Sequence, residues 1–166
     1  GTLHPSVARA VPAPVASEID AAAEAIASSQ RLLIIAGDGA HGAGAEVVAL
    51  AEALGAGIVL SSDAKGLVDD RAETTIGAVG VLELLPELTS DADAVIAIGT
   101  ELAPSDFWPE PLPLPDTVVR IDIDEVQMLT NATVTHPILA AAKNATAAQN
   151  EQVSALRTES ATAAAR

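Results

Sequence analysis

Residues 31–59 read RLLIIAGDGAHGAGAEVVALAEALGAGIV. Arg31–Ala36 is a short apolar run that stops at glycine, the pattern of a strand buried on both faces. Ala45–Leu54 repeats its apolar residues on a helical period and stops at Gly55. Gly57–Leu60 is a second buried strand. Strand, glycine turn, helix and strand make a βαβ unit, whose crossover is right-handed and whose strands are parallel.

The turn Gly37-Asp38-Gly39-Ala40-His41-Gly42 matches G-x-G-x-x-G between a strand and a helix. Glycines turn the chain tightly and let backbone N–H groups approach a phosphate, and the helix N-terminus adds a favourable dipole. Two readings stay open here, a phosphate contact and a bare strand-to-helix turn. A dinucleotide site asks for an acidic residue about 20 residues on, at the end of the second strand. That strand ends Leu60-Ser61-Ser62-Asp63, and Asp63 comes late. Gly37-Asp38-Gly39 also opens the motif that holds the magnesium and diphosphate of thiamine diphosphate. That motif is completed by a pair of asparagines further along. Residues 62–66 are Ser-Asp-Ala-Lys-Gly, and the first asparagine of the chain is Asn131. No thiamine–magnesium site is expected in this turn.

Outward from this unit the same alternation continues. Ser17 is expected to cap a helix that runs to Ser28, with Asp20 in its first turn. Val81–Leu88 reads as a short helix, Ala94–Ile98 as a third strand closed by Gly99, and Val118–Ile123 as a fourth. Asp124–Thr130 begins a helix capped by Asp124, and residues 138–157 form a final Ala-rich helix. The proline cluster Pro109, Pro111, Pro113 and Pro115 is a stiff loop before strand four. The expected fold is α/β: three layers, with a mostly parallel, Rossmann-like sheet covered by helices on both faces. Ligands of such sheets sit beyond the carboxyl ends of the strands.

Composition sets the bounds. The chain has 166 residues, a one-domain length. Hydrophobic residues make up 49% but aromatics only 1%, so the core must be built from Ala, Val, Ile and Leu; mean hydropathy is +0.36. A net charge of −15 argues against nucleic acid and against an acidic membrane surface. The chain has no cysteine, hence no disulfide or thiolate chemistry, and a cytoplasmic location is expected. No apolar run reaches about 18 residues. The sole methionine is Met128 and the chain starts at Gly1, so a fragment of a longer protein is expected. Residues 1–16, with Pro5, Pro12 and Pro14, read as a linker; residues 17–157 are the domain; residues 158–166 are a low-complexity tail.

Four segments carry a more specific signal: residues 31–59, SSDAKGLVDD at 61–70, DADAVIAIGTEL at 91–102 and VVRIDIDEVQM at 118–128. In order and content they resemble the central domain of thiamine-diphosphate-dependent enzymes of the acetolactate synthase and 2-oxoacid decarboxylase group, over about residues 15–150. The Lys65-Gly66 pair followed by acids and the Ile121-Asp122-Ile123-Asp124 strand tail are its most specific parts. The resemblance implies a DHS-like NAD/FAD-binding type of sheet, flanked by a pyrimidine-binding and a pyrophosphate-binding domain. Those domains bind thiamine diphosphate and Mg2+ in a homodimer or homotetramer, so no catalytic residue and no metal ligand is expected here. Relatives carry FAD, ADP or nothing in this domain. By resemblance, Gly37, Asp38 and Gly39 lie near dinucleotide phosphates, and Ser61 and Ser62 follow strand two. Gly77 and Gly80 fall in the next loop, Gly99 and Thr100 close strand three, and Asp122 and Ile123 lie near the adenosine ribose. FAD-binding relatives have Gly-Ala-Arg after strand three, where this chain has Gly99-Thr100-Glu101. A carboxylate there repels a pyrophosphate. Relatives also carry Gly-Asp where this chain has Ala140-Ala141-Ala142. Both departures disfavour FAD. The competing reading is a free-standing FAD- or NAD-binding domain.

The remaining features are weaker. His41 lies in the glycine turn and reads as solvent-exposed. His4 and His136 precede prolines, and three scattered histidines give no metal-ligand spacing. Asp69, Asp70 and Glu73 form a solvated acidic run. Asp122 and Asp124, two apart on a strand end, are expected to point the same way, with Asp124 capping the next helix. Phe107 and Trp108 are the only aromatics, divided between an interface and packing under their loop.

Overall fold

The computed structural model describes residues 10–78, 83–104 and 112–164. Six strands form one sheet: β1 (Leu32–Ala36), β2 (Gly57–Leu60), β3 (Thr75–Gly77), β4 (Ala94–Ile98), β5 (Thr117–Asp122) and β6 (His136–Leu139). Their order is β3-β2-β1-β4-β5-β6, and every neighbouring pair is parallel. This is the doubly wound order, with β1 and β4 at the point where the winding reverses. The helices are α1 (Ala16–Ala27), α2 (Gly44–Leu54), α3 (Leu85–Asp91) and α4 (Ala142–Ala164).

Side chains alternate across the strands and so divide the core in two. Leu32, Ile34, Ala36, Ile58, Leu60, Ile96, Ile98, Val119, Ile121 and Ile138 face α1, α2 and α4. Leu33, Ile35, Val59, Val95 and Ala97 face the other way, toward Leu85 of α3 and Leu102. α1 buries Ile19, Ala22, Ala23 and Ile26, and α2 buries Val47, Leu50, Ala51 and Leu54. Each set is one helical stripe at i, i+3, i+4 and i+7. Burying a Leu or Ile contributes about 1.5–3 kcal/mol, and with aromatics so scarce the stability comes from many such aliphatic contacts. Alanines on α1 and α4 let the two helices lie side by side on the sheet.

Several expectations change. The sheet has six strands rather than four, because the short β3 and β6 were read as loop and helix. α1 starts after Val15, whose side chain makes no cap, and Ser17 lies inside the first turn instead of capping it. α3 starts at Leu85, with Pro86 in its first turn, later than the expected Val81; residues 79–82 lie outside the described part. α4 begins at Ala142, because β6 occupies His136–Leu139. It continues to Ala164, so most of the expected low-complexity tail is helix. The segment after Asp124 is one turn of 3-10 helix, Gln127–Leu129, not an α-helix. Phe107, Trp108, Pro109 and Pro111 also lie outside the described residues. Among the described residues no helix is long and apolar enough to cross a membrane.

Candidate functional site at the switch point

The carboxyl ends of β1 and β4 diverge in a doubly wound sheet and leave a crevice. Here the chain itself occupies its floor. The Gly37 N–H donates to the Ile98 carbonyl at 2.9 Å and the Gly39 N–H to the Gly99 carbonyl at 3.0 Å. A Cβ on Gly37 would lie 2.6 Å from Thr100 Cα and run into the Gly99 carbonyl oxygen; one on Gly99 would meet the backbone of Gly39 and Ala40. Gly99 has φ +54°, a conformation that costs other residues strain. Thus Gly37, Gly39, Gly99 and Thr100 are brought together, backbone against backbone.

The rest of the turn closes on itself. Ala40 N–H donates to Gly37, His41 N–H to Asp38 and Ala43 N–H to Ala40, at 2.9–3.0 Å. The His41 ring turns back as well, with Nδ1 2.7 Å from the Asp38 carbonyl. Five amides of the glycine turn therefore have partners within the fold. The first turn of α2 is covered: a Cβ on Gly44 would strike the Leu67 carbonyl.

The other sequence-derived residues spread along the carboxyl edge. Ser61 is buried, its N–H bonded to the Ala36 carbonyl at 2.9 Å; Ser62 opens a 3-10 turn beside that of Asp38–Ala40. Gly77 ends the edge strand β3 opposite Val59, away from the switch point. Gly80 is outside the described residues. Asp122 and Asp124 do not share a direction, because the strand ends at Asp122. The Asp122 carboxylate accepts the Asp124 N–H at 3.0 Å, and the Asp124 carboxylate turns forward to accept Val126 and Gln127 N–H at 2.8 and 3.2 Å. Asp124 thus caps the 3-10 turn. Ile123 is exposed.

Sequence reasoning passed over Arg120. It is 1% exposed, on the sheet face away from α1 and α4, opposite Ala97 in the register. Its Nη1 donates to the Thr130 carbonyl at 2.6 Å and its Nη2 to the Thr100 carbonyl at 2.9 Å. The Asp122 carboxylate is 3.8 Å away, and Nε has no partner among the described residues. Burial pushes the guanidinium below its ordinary value, opposed by the Asp122 and Glu101 charges; an arginine remains charged through such a shift. The site therefore holds a cation, but its hydrogen bonds run to the two loops on either side. The signal was a lone charge at an inward position of VVRID.

A family profile described as "Thiamine pyrophosphate enzyme, central domain" matches residues 19–149. The chain belongs to this family. The central domain is 41% identical over 111 residues to the protein named "Probable 2-ketoarginine decarboxylase AruI" of Pseudomonas aeruginosa, a match covering 67% of this chain and 20% of that protein. Two solved structures share its fold at 21% identity. One, from Mycobacterium smegmatis and assigned to thiamin diphosphate-dependent enzymes, gives a TM-score of 0.72 over 90% of this chain and 30% of the other. Benzoylformate decarboxylase from Polynucleobacter necessarius gives 0.69 over 91% and 30%. The central domain spans about a fifth of the curated relative's length.

Proposed function

We propose that this central domain serves a thiamine-diphosphate-dependent decarboxylase of 2-oxo acids as a structural module, with no catalytic residue of its own. Thiamine diphosphate and Mg2+ are held by flanking pyrimidine- and pyrophosphate-binding domains of a cytoplasmic homodimer or homotetramer. The family match and the likeness to a 2-ketoarginine decarboxylase support this reading.

Gly37, Asp38, Gly39, Ser61, Ser62, Gly77, Gly99, Thr100, Asp122 and Ile123 mark where a nucleotide would lie, but we propose that FAD, ADP and NAD are not retained. One observation carries this: the Gly39 amide, placed to meet a phosphate in an open turn, donates to Gly99 instead. Glu101 is exposed beside the crevice while Arg120 is withdrawn beneath it, which leaves a negative rim. These residues do not fit a pyrophosphate. Asp38 sits on the same closed turn with no asparagine pair to join it, so they do not fit thiamine–magnesium either.

Calorimetry and thermal melting with FAD, ADP and NAD test this. A ligand at 100 times its Kd stabilises by about 2.7 kcal/mol, so binding would be plain; we expect no heat and no shift. A shift with FAD or ADP would restore the nucleotide site. The complete reading frame tests the parent activity: it should encode a second GDG motif followed by the asparagine pair, and the enzyme should release CO2 from a 2-oxo acid only with thiamine diphosphate and Mg2+.

A further inference from the structure

Between β5 and β6 the chain forms a turn whose backbone amides are bonded within it while three large apolar side chains stand in solvent. Asp122 and Asp124 take the Asp124, Val126 and Gln127 amides. The Thr130 hydroxyl lies 2.8 Å from the Gln127 carbonyl and 2.9 Å from its side-chain oxygen, and Arg120 holds the Thr130 carbonyl. Met128 is buried beneath as an anchor. Ile123, Val126 and Leu129 are left 61%, 73% and 78% exposed. Their spacing of three is the period of a 3-10 turn, which aligns Val126 with Leu129. A rigid apolar stripe in water gains nothing by itself, and such exposed groups mark contacts.

We infer that Ile123, Val126 and Leu129 form a preformed knob that docks against another domain of the same enzyme, one that is apolar at the centre of the contact and lysine- or arginine-rich at its rim. The inference rests on the multidomain reading above. Two observations select this occupant. The matched relative is about five times longer than the part this chain spans, so most of an enzyme of that length lies elsewhere. The stripe is also rimmed by exposed carboxylates of one sign: Asp124 and Glu125 within it, and Glu101, whose carbonyl is bonded to Asn131. A second copy of this acidic chain would bring like charge to the same rim. Because the knob is already ordered by its own hydrogen bonds, docking costs it little conformational entropy.

Hydroxyl-radical footprinting of the 166-residue chain and of the full-length enzyme tests this, with buried Ile34 as the control for folding. Val126 and Leu129 should be labelled about tenfold more slowly in the full-length enzyme, as expected for the centre of an interface. Equal labelling in both would overturn the inference while leaving the decarboxylase reading intact. Protection in the short chain that grows with its concentration would assign the knob to a second copy, and protection that needs added ADP would assign it to a nucleotide; either overturns it. A reading frame with no further domain would sink the multidomain reading, and this inference with it. If Ile34 is labelled in the short chain, the variant V126K/L129K in the full-length enzyme replaces the comparison. Limited proteolysis should then release the central domain several-fold faster than from the unmodified enzyme, and an unchanged rate would overturn the inference.

Discussion

At the switch point, the missing side chain of Gly37 decides whether two loops can meet. Gly37→Ala would force the Gly99–Thr100 backbone away, and we expect it to cost about 3 kcal/mol or more. Gly42→Ala is the control. Gly42 has φ +83° but open space around it, so only the backbone penalty of about 1 kcal/mol applies. Urea melts of both variants give the comparison; equal costs would mean that the turn does not lean on the β4 loop. Arg120 works by hydrogen bonding rather than by its charge. Arg120→Ala leaves one buried and one part-buried carbonyl unpaired and opens a cavity, an expected loss of about 3 kcal/mol. Arg120→Met refills the volume and should lose less in the same melts. Asp93 is the third residue of this kind. Its carboxylate accepts the Gln30 and Arg31 amides at 3.0 Å and pairs with the Arg31 guanidinium at 2.8 Å. The hydrogen bond from the Arg31 amide, followed by that from Gln30, holds its pKa below the ordinary 3.8. A depressed carboxylate stabilises the fold above its unfolded value and loses that contribution as pH falls through the folded one. Wild type should therefore exceed D93N in stability at pH 7, with the gap closing below about pH 4.

Among the elements, α4 departs furthest from its sequence. Its last turns are Ala, Thr and Ser, a composition that signals nothing by periodicity, yet the helix runs past the sheet to Ala164. Arg157 supplies part of the reason. Its guanidinium donates to the Ala53 and Leu54 carbonyls at 2.9 and 3.3 Å, the open end of α2, where Gly55 takes up φ +67°. Arg157→Ala should cost about 1 kcal/mol, whereas deleting residues 159–166 should change stability by no more than about 0.5 kcal/mol. Thermal melts separate the two; equal losses would show that the helix tail, not the cap, is what matters. The contrast shows what can be read from residues alone. β1, β2, β4 and β5 were legible because each is a run rich in Val, Ile or Leu, closed by glycine in β1 and β4, by serine in β2 and by aspartate in β5, and α2 because its stripe ends at Gly55. β3 and β6 were not. Three residues, Thr-Ile-Gly, are too few to show a period, and His-Pro-Ile-Leu contains a proline that argues against a strand. Pro137 is tolerated because β6 lies at the sheet edge, where one side needs no donor.

For the whole molecule, the parallel, layered sheet followed from the alternation of strands and helices, whereas the strand order, which sets Gly37–Gly39 against Gly99–Thr100, came only with the structure. What alternation could not reveal was whether the crevice is open. That depends on which carbonyl receives the Gly39 amide, a contact across 60 residues of chain that no local pattern encodes. Arg120 was missed for a related reason: its partners, Thr100 and Thr130, come from loops on either side of it. The same strand order has a kinetic side. β1 lies at the centre of the sheet but is made first, and the segments that follow build only one of its flanks, β2 and then β3. Its other edge, five apolar residues with unpaired amides and carbonyls, waits for Ala94–Ile98 to be synthesised. Until then the growing chain presents a bare hydrophobic strand edge, the surface through which partly folded proteins stick to one another. A sheet wound outward from its first strand is therefore most vulnerable half-built, and its yield on refolding is set by how fast the second half arrives relative to a neighbouring chain.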